Sequence, residues 1–197
     1  MKERIFAALE LPESLKEQLG AVQERFKAQL PPRVVRWVRP EGIHLTVRFF
    51  GDIAGGRLRD FEASLGRAAA AAPPIVLAVE GVGVFPSPER PQVIWTGLTG
   101  NLDPLRQLQA AVEDAAGELG FAPEPRSFKP HLTMGRVNPR VRPADQVTLL
   151  QLLRQSSLER LGDFRPERLS LMRSDLRPGG SVYTAMFTVP LGGGVSG

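Results

Sequence analysis

Cysteine is missing from all 197 residues, histidine occurs twice and tyrosine once. Without thiols the chain has no disulfides, thiolate nucleophiles, iron–sulfur clusters or cysteine-ligated zinc, so its chemistry must run on oxygen and nitrogen groups. Lysine is scarce as well, 4 residues against 21 arginines. No apolar run approaches the ~20 residues a membrane-spanning helix needs. The start, MKERIFAALELPESL, alternates charge with hydrophobes and carries no signal-peptide core, so a cytoplasmic protein without membrane contact is expected. Walker-type glycine loops and Gly-x-Ser-x-Gly elbows are also missing, which argues against nucleoside triphosphate hydrolysis and against a serine triad.

What is present is an ordinary globular composition, 42% hydrophobic and 23% charged, on a chain long enough for one good-sized domain or two small lobes sharing a core. The formal net charge of +4 is carried by arginine. An Arg- and Pro-rich proteome explains that excess as well as phosphate recognition does; the second reading applies where arginines flank the histidines. Arg33, Arg36 and Arg39 precede the first histidine and read mainly as surface groups. Lys129, Arg136, Arg140 and Arg142 surround the second. Trp37 and Trp95 read as core or lobe-interface residues.

Both histidines sit in the same tripeptide, in IHLTVRFFGD at 43–52 and in PHLTMGRV at 130–137. The β-branched and aromatic residues around each copy predict a strand, and alternate side chains of a strand share a face. His44 and Thr46 therefore project together with Arg48, while Ile43, Leu45, Val47 and Phe49 face a core. His131 and Thr133 repeat the arrangement. A single histidine on a strand is usually structural; the repeat beside threonine favours function. Two imidazoles that share one site can be neutral and protonated at once, which suits concerted acid–base displacement at phosphorus. Two histidines with no Asp or Glu in either motif supply no third ligand for a zinc or iron site, so no metal and no cofactor is expected.

Further along, Leu15, Leu19, Val22, Phe26 and Leu30 form a helical stripe behind Pro12. Asp103 and Pro104 read as the cap and first residue of another helix, with Leu105, Leu108, Val112, Ala115 and Leu119 as its buried stripe. Helices are also expected over 57–72 and 143–155, and strands over 3–11, 34–38, 75–85, 91–98, 167–176 and 182–191. Arg177-Pro178-Gly179-Gly180 predicts a hairpin turn. Each half reads strand, helix, His-Leu-Thr strand, helix, strand. The expected fold class is α+β: two pseudo-symmetric lobes, each an antiparallel sheet with flanking helices, forming a single bilobal domain over 1–197 with the active-site cleft between them and a frayed tail at 191–197. GVGVFPSP at 81–88 reads as a strand running into a turn rather than a phosphate-cradling loop.

Taken together, RIFAALELP, IHLTVRFFGD, GVGVFPSPERPQVIWTGL, FKPHLTMGRV and SLMRSDLRPGGSVYTAMFTV resemble, in order and over essentially the whole chain, the RNA 2′,3′-cyclic phosphodiesterase family, also labelled 2′-5′ RNA ligase, of the two-histidine phosphoesterase superfamily. The resemblance implies metal-independent hydrolysis of RNA 2′,3′-cyclic phosphate ends to 2′-phosphate, with the reverse 2′-5′ ligation open to the same site. Carried over residue by residue, His44 and His131 form the catalytic pair, with His44 leaning to the acid and His131 to the base. Thr46, Thr133 and Arg136 bind the phosphate, and Phe49 stacks on the terminal base. Lys129 is a candidate phosphate or RNA contact. Strict alternation places Phe49 and Arg136 on the wrong face, unless the first strand ends or bulges near residue 48 and the second at Gly135. Partners are RNA ends or cyclic nucleotides, and a monomer is expected. Two further readings stay open: a module that holds RNA ends with little catalysis, and a phosphodiesterase for another cyclic or 2′-5′ linked nucleotide.

Overall fold

The computed structural model describes residues 2–54, 56–156, 158–177 and 180–192, the side chains of Lys2 and Ala54 excepted. Strand β1 (Lys2–Glu10) leads into α1 (Glu13–Lys27), β2 (Val35–Trp37), a 3₁₀ turn at Pro40–Gly42, β3 (His44–Ala54), α2 (Leu58–Ala70) and β4 (Leu77–Ser87). Then come β5 (Arg90–Gly100), α3 (Asp103–Glu118), β6 (His131–Val137), α4 (Pro143–Gln155), β7 (Gly162–Phe164), β8 (Arg168–Arg177) and β9 (Gly180–Pro190). None of the described helices is long and apolar enough to cross a membrane.

Local chemistry sets the helix ends. The carbonyl of Pro12 accepts the Leu15 and Lys16 N–H groups at 3.1 and 3.2 Å, which starts α1. Helix α2 stops short of Pro73-Pro74, which bring no N–H to continue it. At α3 the cap expected at Asp103 lies two residues earlier in chemistry: the Asn101 carboxamide oxygen accepts the Asp103 N–H at 3.2 Å, and Asp103 is already helical. The Asp103 carboxylate pairs instead with Arg106 at 2.8 Å, one turn on. The three-residue strand β7 and the 3₁₀ turn were not expected, being too short to show a period.

Every described strand pairing is antiparallel, and the order along the sheet is β7-β4-β5-β6-β3-β1-β8-β9. Two lobes, one of β7, β4, β5, β6 and β2 and the other of β3, β1, β8 and β9, thus meet at β3 and β6, joined by one residue pair, Leu45 opposite Leu132. Where β3 leaves the edge of β6, β2 takes it over, with Arg36 opposite Arg136. The sequence halves do not correspond to the lobes. Strand β4 of the first half joins β5 and β6, while β8 of the second half joins β1. The helices cross over in the same way: Val22 and Phe26 of α1 pack with Leu149 and Leu153 of α4 against Ile94 and Met134, and α3 lies against α2 and β3.

Helices cover one face of the curled sheet, over a core that includes Leu9, Leu45, Phe61, Leu65, Leu108 and Leu132. The opposite face carries the small cluster Phe6, Ala8 and Met172 with Tyr183 packed against it. Of the tail expected to fray over 191–197, the first two residues are held in place: Leu191 and Gly192 donate to the carbonyls of Glu167 and Ala69 at 2.8 and 3.0 Å. Residues 193–197 lie outside the described residues, as do Pro178 and Gly179 of the expected turn; Arg177 and Gly180 on either side of them are paired.

Candidate active site

The Leu45–Leu132 pairing brings the two repeats together. In antiparallel register His44 then lies opposite Thr133, and Thr46 opposite His131. The two histidines become diagonal neighbours across the seam, a relation that separates them by roughly 7–8 Å. All four side chains are half-buried, while Leu45 and Leu132 point the other way and are fully covered.

A matched irregularity follows each tripeptide. Along β3, Thr46 pairs with Ala8 and Arg48 with Ala7, so Val47 is an extra residue. Along β6, Thr133 pairs with Trp95 and Gly135 with Ile94, so Met134 is extra. Each β-bulge resets the alternation one residue after the motif. Phe49 and Arg136, both five positions after their histidine, are thereby turned onto the histidine face. The ring of Phe49 lies 5.4 Å from Phe6 and is 48% exposed, and Arg136 is exposed beside Arg36. The core placement of Phe49 drawn from alternation is thus corrected.

The same bulge corrects Arg48, which leaves the histidine face and is buried on the helix side. Its guanidinium is 2.9 Å from the Glu113 carboxylate and 3.1 Å from that of Glu124, and it donates to the Ala122 carbonyl at 2.6 Å. Arg48 therefore ties β3 to the segment that leads into β6. The Met134 bulge has its own clamp. Gln23 of α1, 1% exposed, donates to the carbonyls of Met134 and Val38 at 2.9 and 2.8 Å. Sequence reasoning missed Gln23, although a polar residue four positions after Leu19 interrupts a buried stripe and is a legible signal.

Both histidines are oriented alike. His44 Nδ1 lies 2.8 Å from the Gly42 carbonyl and His131 Nδ1 lies 2.7 Å from the Lys129 carbonyl, in each case two residues upstream. A carbonyl only accepts, so each Nδ1 carries its hydrogen and each Nε2 is the free ring atom. Lys129 thus contributes its main chain to the site, while its side chain is exposed. His44 stacks on Phe6 at 4.7 Å and meets the edge of Tyr183 at 4.8 Å. Burial in this surround lowers its pKa from 6.5 to about 4, against the opposing pull of the Gly42 carbonyl and Glu10 and with a small push from His131. His44 is neutral at pH 7 in the unliganded protein. His131 meets Phe85 edge-on at 5.0 Å, and Phe85 lies 5.0 Å from Trp95, whose ring covers Gly83 where a Cβ would not fit.

A cavity of about 210 Å³ adjoins the His44 side and is lined in part by Arg36, Arg39, Arg136, Arg177 and Tyr183. Arg36 and Arg39, read from sequence as surface groups, therefore belong to the site's surroundings; Arg33 is not among the lining residues. Trp37 stacks on Phe26 at 5.9 Å and closes the second core, as expected of it. Trp95 lies opposite Thr133 and so faces the site.

The family described as LigT like Phosphoesterase matches residues 9–95 and 99–183. An RNA 2′,3′-cyclic phosphodiesterase of Methanothermobacter thermautotrophicus is 34% identical over 186 residues, 94% of this chain and 97% of that protein. A crystal structure from Thermus thermophilus superposes with a TM-score of 0.77 at 27% identity, covering 95% of this chain and 97% of the other. E. coli LigT complexed with 3′-AMP superposes at 0.73 with 22% identity, covering 97% and 99%, a likeness of fold. With its two His-Leu-Thr strands joined at the seam of such a fold, the chain belongs to the LigT-like phosphoesterase family.

Proposed function

We propose that this phosphoesterase hydrolyses the 2′,3′-cyclic phosphate at RNA ends to a 2′-phosphate and a free 3′-hydroxyl, using His44 and His131 as an acid–base pair and no metal. The observation that carries the reading is the antiparallel seam, which sets each histidine opposite the other motif's threonine. The name of the Methanothermobacter relative supports the choice of substrate.

In this mechanism one Nε2 removes a proton from a water molecule that attacks phosphorus. The other donates a proton to O3′ as the P–O3′ bond breaks, each transfer being worth roughly 10²–10⁴-fold. Thr46 and Thr133 hold the non-bridging oxygens, and Arg136 offsets the charge that builds on them. Because His44 is neutral in the empty site, its role as acid requires that it take up a proton together with the anionic substrate, whose charge opposes the effect of burial. Phe49 offers its exposed ring to the terminal base. With the 5′-hydroxyl of a second RNA attacking phosphorus in place of water, the same cleavage of P–O3′ leaves a 2′-5′ linkage, which is ligation.

Incubation with EDTA and an oligonucleotide ending in a 2′,3′-cyclic phosphate, followed by mass spectrometry, tests the reading. Conversion to the 2′-phosphate is expected. Binding without conversion would leave a module that holds RNA ends, and conversion to a 3′-phosphate would reverse the assigned leaving group.

A further inference from the structure

The surroundings of the two histidines differ sharply in charge. On the His131 side stand Phe85 and Trp95. On the His44 side lies the 210 Å³ cavity, into which β2, the turn after it, β6 and the β8–β9 hairpin deliver Arg36, Arg39, Arg136 and Arg177. Among the described residues no carboxylate lines this cavity. Among them, too, none of the four guanidiniums is in a salt bridge, whereas Arg48, Arg67, Arg142 and Arg160 each hold a carboxylate within 3.1 Å. Four like charges around one opening repel one another, and a bound polyanion relieves that repulsion. Tyr183 forms the wall shared by this cavity and His44, packed against Gly42 where a Cβ would come within 3.3 Å of the ring.

From this arrangement we infer that the cavity is a second phosphate subsite, which takes the phosphate on the 5′ side of the nucleotide carrying the cyclic end. The inference rests on the proposed cyclic phosphodiester substrate and narrows it to oligonucleotides over cyclic mononucleotides. With the cyclic phosphate between the two rings, the rest of the strand must leave on one side. The rings of Phe85 and Trp95 at His131 can stack on a base but bring no cation to a phosphate, while the cavity beside His44 offers four fork-shaped donors. Arg136 faces both sites and links them. Arg36, paired with it in register, belongs to the second site alone.

The test compares kcat/KM for three substrates: a nucleoside 2′,3′-cyclic phosphate, the same compound with a 5′-phosphate, and a dinucleotide ending in a 2′,3′-cyclic phosphate. Binding of the corresponding 2′-phosphate products is measured by calorimetry in parallel. The wild-type protein should favour the dinucleotide over the mononucleotide by about tenfold or more, carried by KM. In Arg36→Gln/Arg177→Gln that preference should shrink about tenfold, and the dependence of dinucleotide binding on salt should become shallower. A dinucleotide preference near one, or one unmoved by the double substitution, overturns the subsite and leaves the activity standing. A gain with the free 5′-phosphate but none with the dinucleotide overturns its assignment to RNA. If no substrate turns over, the proposed activity fails, and tighter dinucleotide binding that depends on Arg36 and Arg177 would still uphold the subsite.

Discussion

His44 is the residue at which cost and use meet. Stacking on Phe6 and the edge of Tyr183 orient the ring but strip its water, and its pKa falls to about 4. A histidine whose folded pKa lies below its unfolded value binds fewer protons when folded. Its contribution to stability is complete above about pH 6.5 and is lost as the pH falls toward 4. Urea denaturation at pH 7, 5.5 and 4.5 should therefore show a smaller loss on acidification for His44→Gln than for the wild type; equal losses would mean that the ring is not desolvated. For turnover, His44→Ala and His131→Ala should each lower kcat by at least about 10²-fold with circular dichroism unchanged. Retained activity in either variant removes that histidine from the mechanism. The repeat of His-Leu-Thr made both residues, and the threonines beside them, readable from sequence. Phe49 and Arg136 were readable only through the family resemblance, because strict alternation turns both away from the site.

At the level of elements, the bulges decide what each strand presents. One extra residue, Val47 or Met134, sends Arg48 into the helix layer and brings Phe49 and Arg136 out beside the histidines. A bulge has no hydrophobic period of its own, so the sequence shows only a conflict and not its resolution. Gln23 holds the Met134 bulge from a helix 111 residues away in the chain. Gln23→Leu takes this donor from the Val38 carbonyl and from the Met134 carbonyl, which keeps the Val38 N–H, so unfolding free energy should fall by about 0.5–1.5 kcal/mol and kcat/KM should drop with Arg136 less well placed. Loss of stability with kinetics unchanged would confine Gln23 to packing. On the helix side, Arg48→Met removes a buried cation from two half-buried carboxylates, Glu113 and Glu124, and should cost about 1–3 kcal/mol, measured by chemical denaturation. Helices were legible because their stripes are long, as in Leu105, Leu108, Val112 and Ala115 of α3, all buried. Helix α3 starts one residue earlier than expected, at the residue read as its cap, because Asp103 takes helical backbone, its N–H held by the Asn101 carboxamide and its carboxylate by Arg106, a choice that residue type leaves open.

Across the whole molecule the two sequence halves are interlaced, with β4 and α1 serving the lobe built on β6 while β8 and α3 serve the lobe built on β3. Neither half can bury its own apolar faces. Fragments 1–88 and 89–197, cut in the β4–β5 turn, should therefore each lack a cooperative thermal transition and should regain one when co-expressed; a fragment that melts cooperatively alone would refute the interlacing. The sequence by itself determined the α+β class, the two histidine strands, the helix stripes and the chemistry open to a chain without thiols, because these follow from local period and side-chain type. Tertiary structure alone decided that the strands meet at Leu45 and Leu132, that the bulges face Phe49 and Arg136 toward the histidines, and that Arg36, Arg39 and Arg177 gather beside His44. Those outcomes depend on pairing between segments far apart in the chain, 38 residues for Ala8 with Thr46 and for Trp95 with Thr133 and 87 for Leu45 with Leu132, and no local pattern in a chain encodes which of its distant segments will pair.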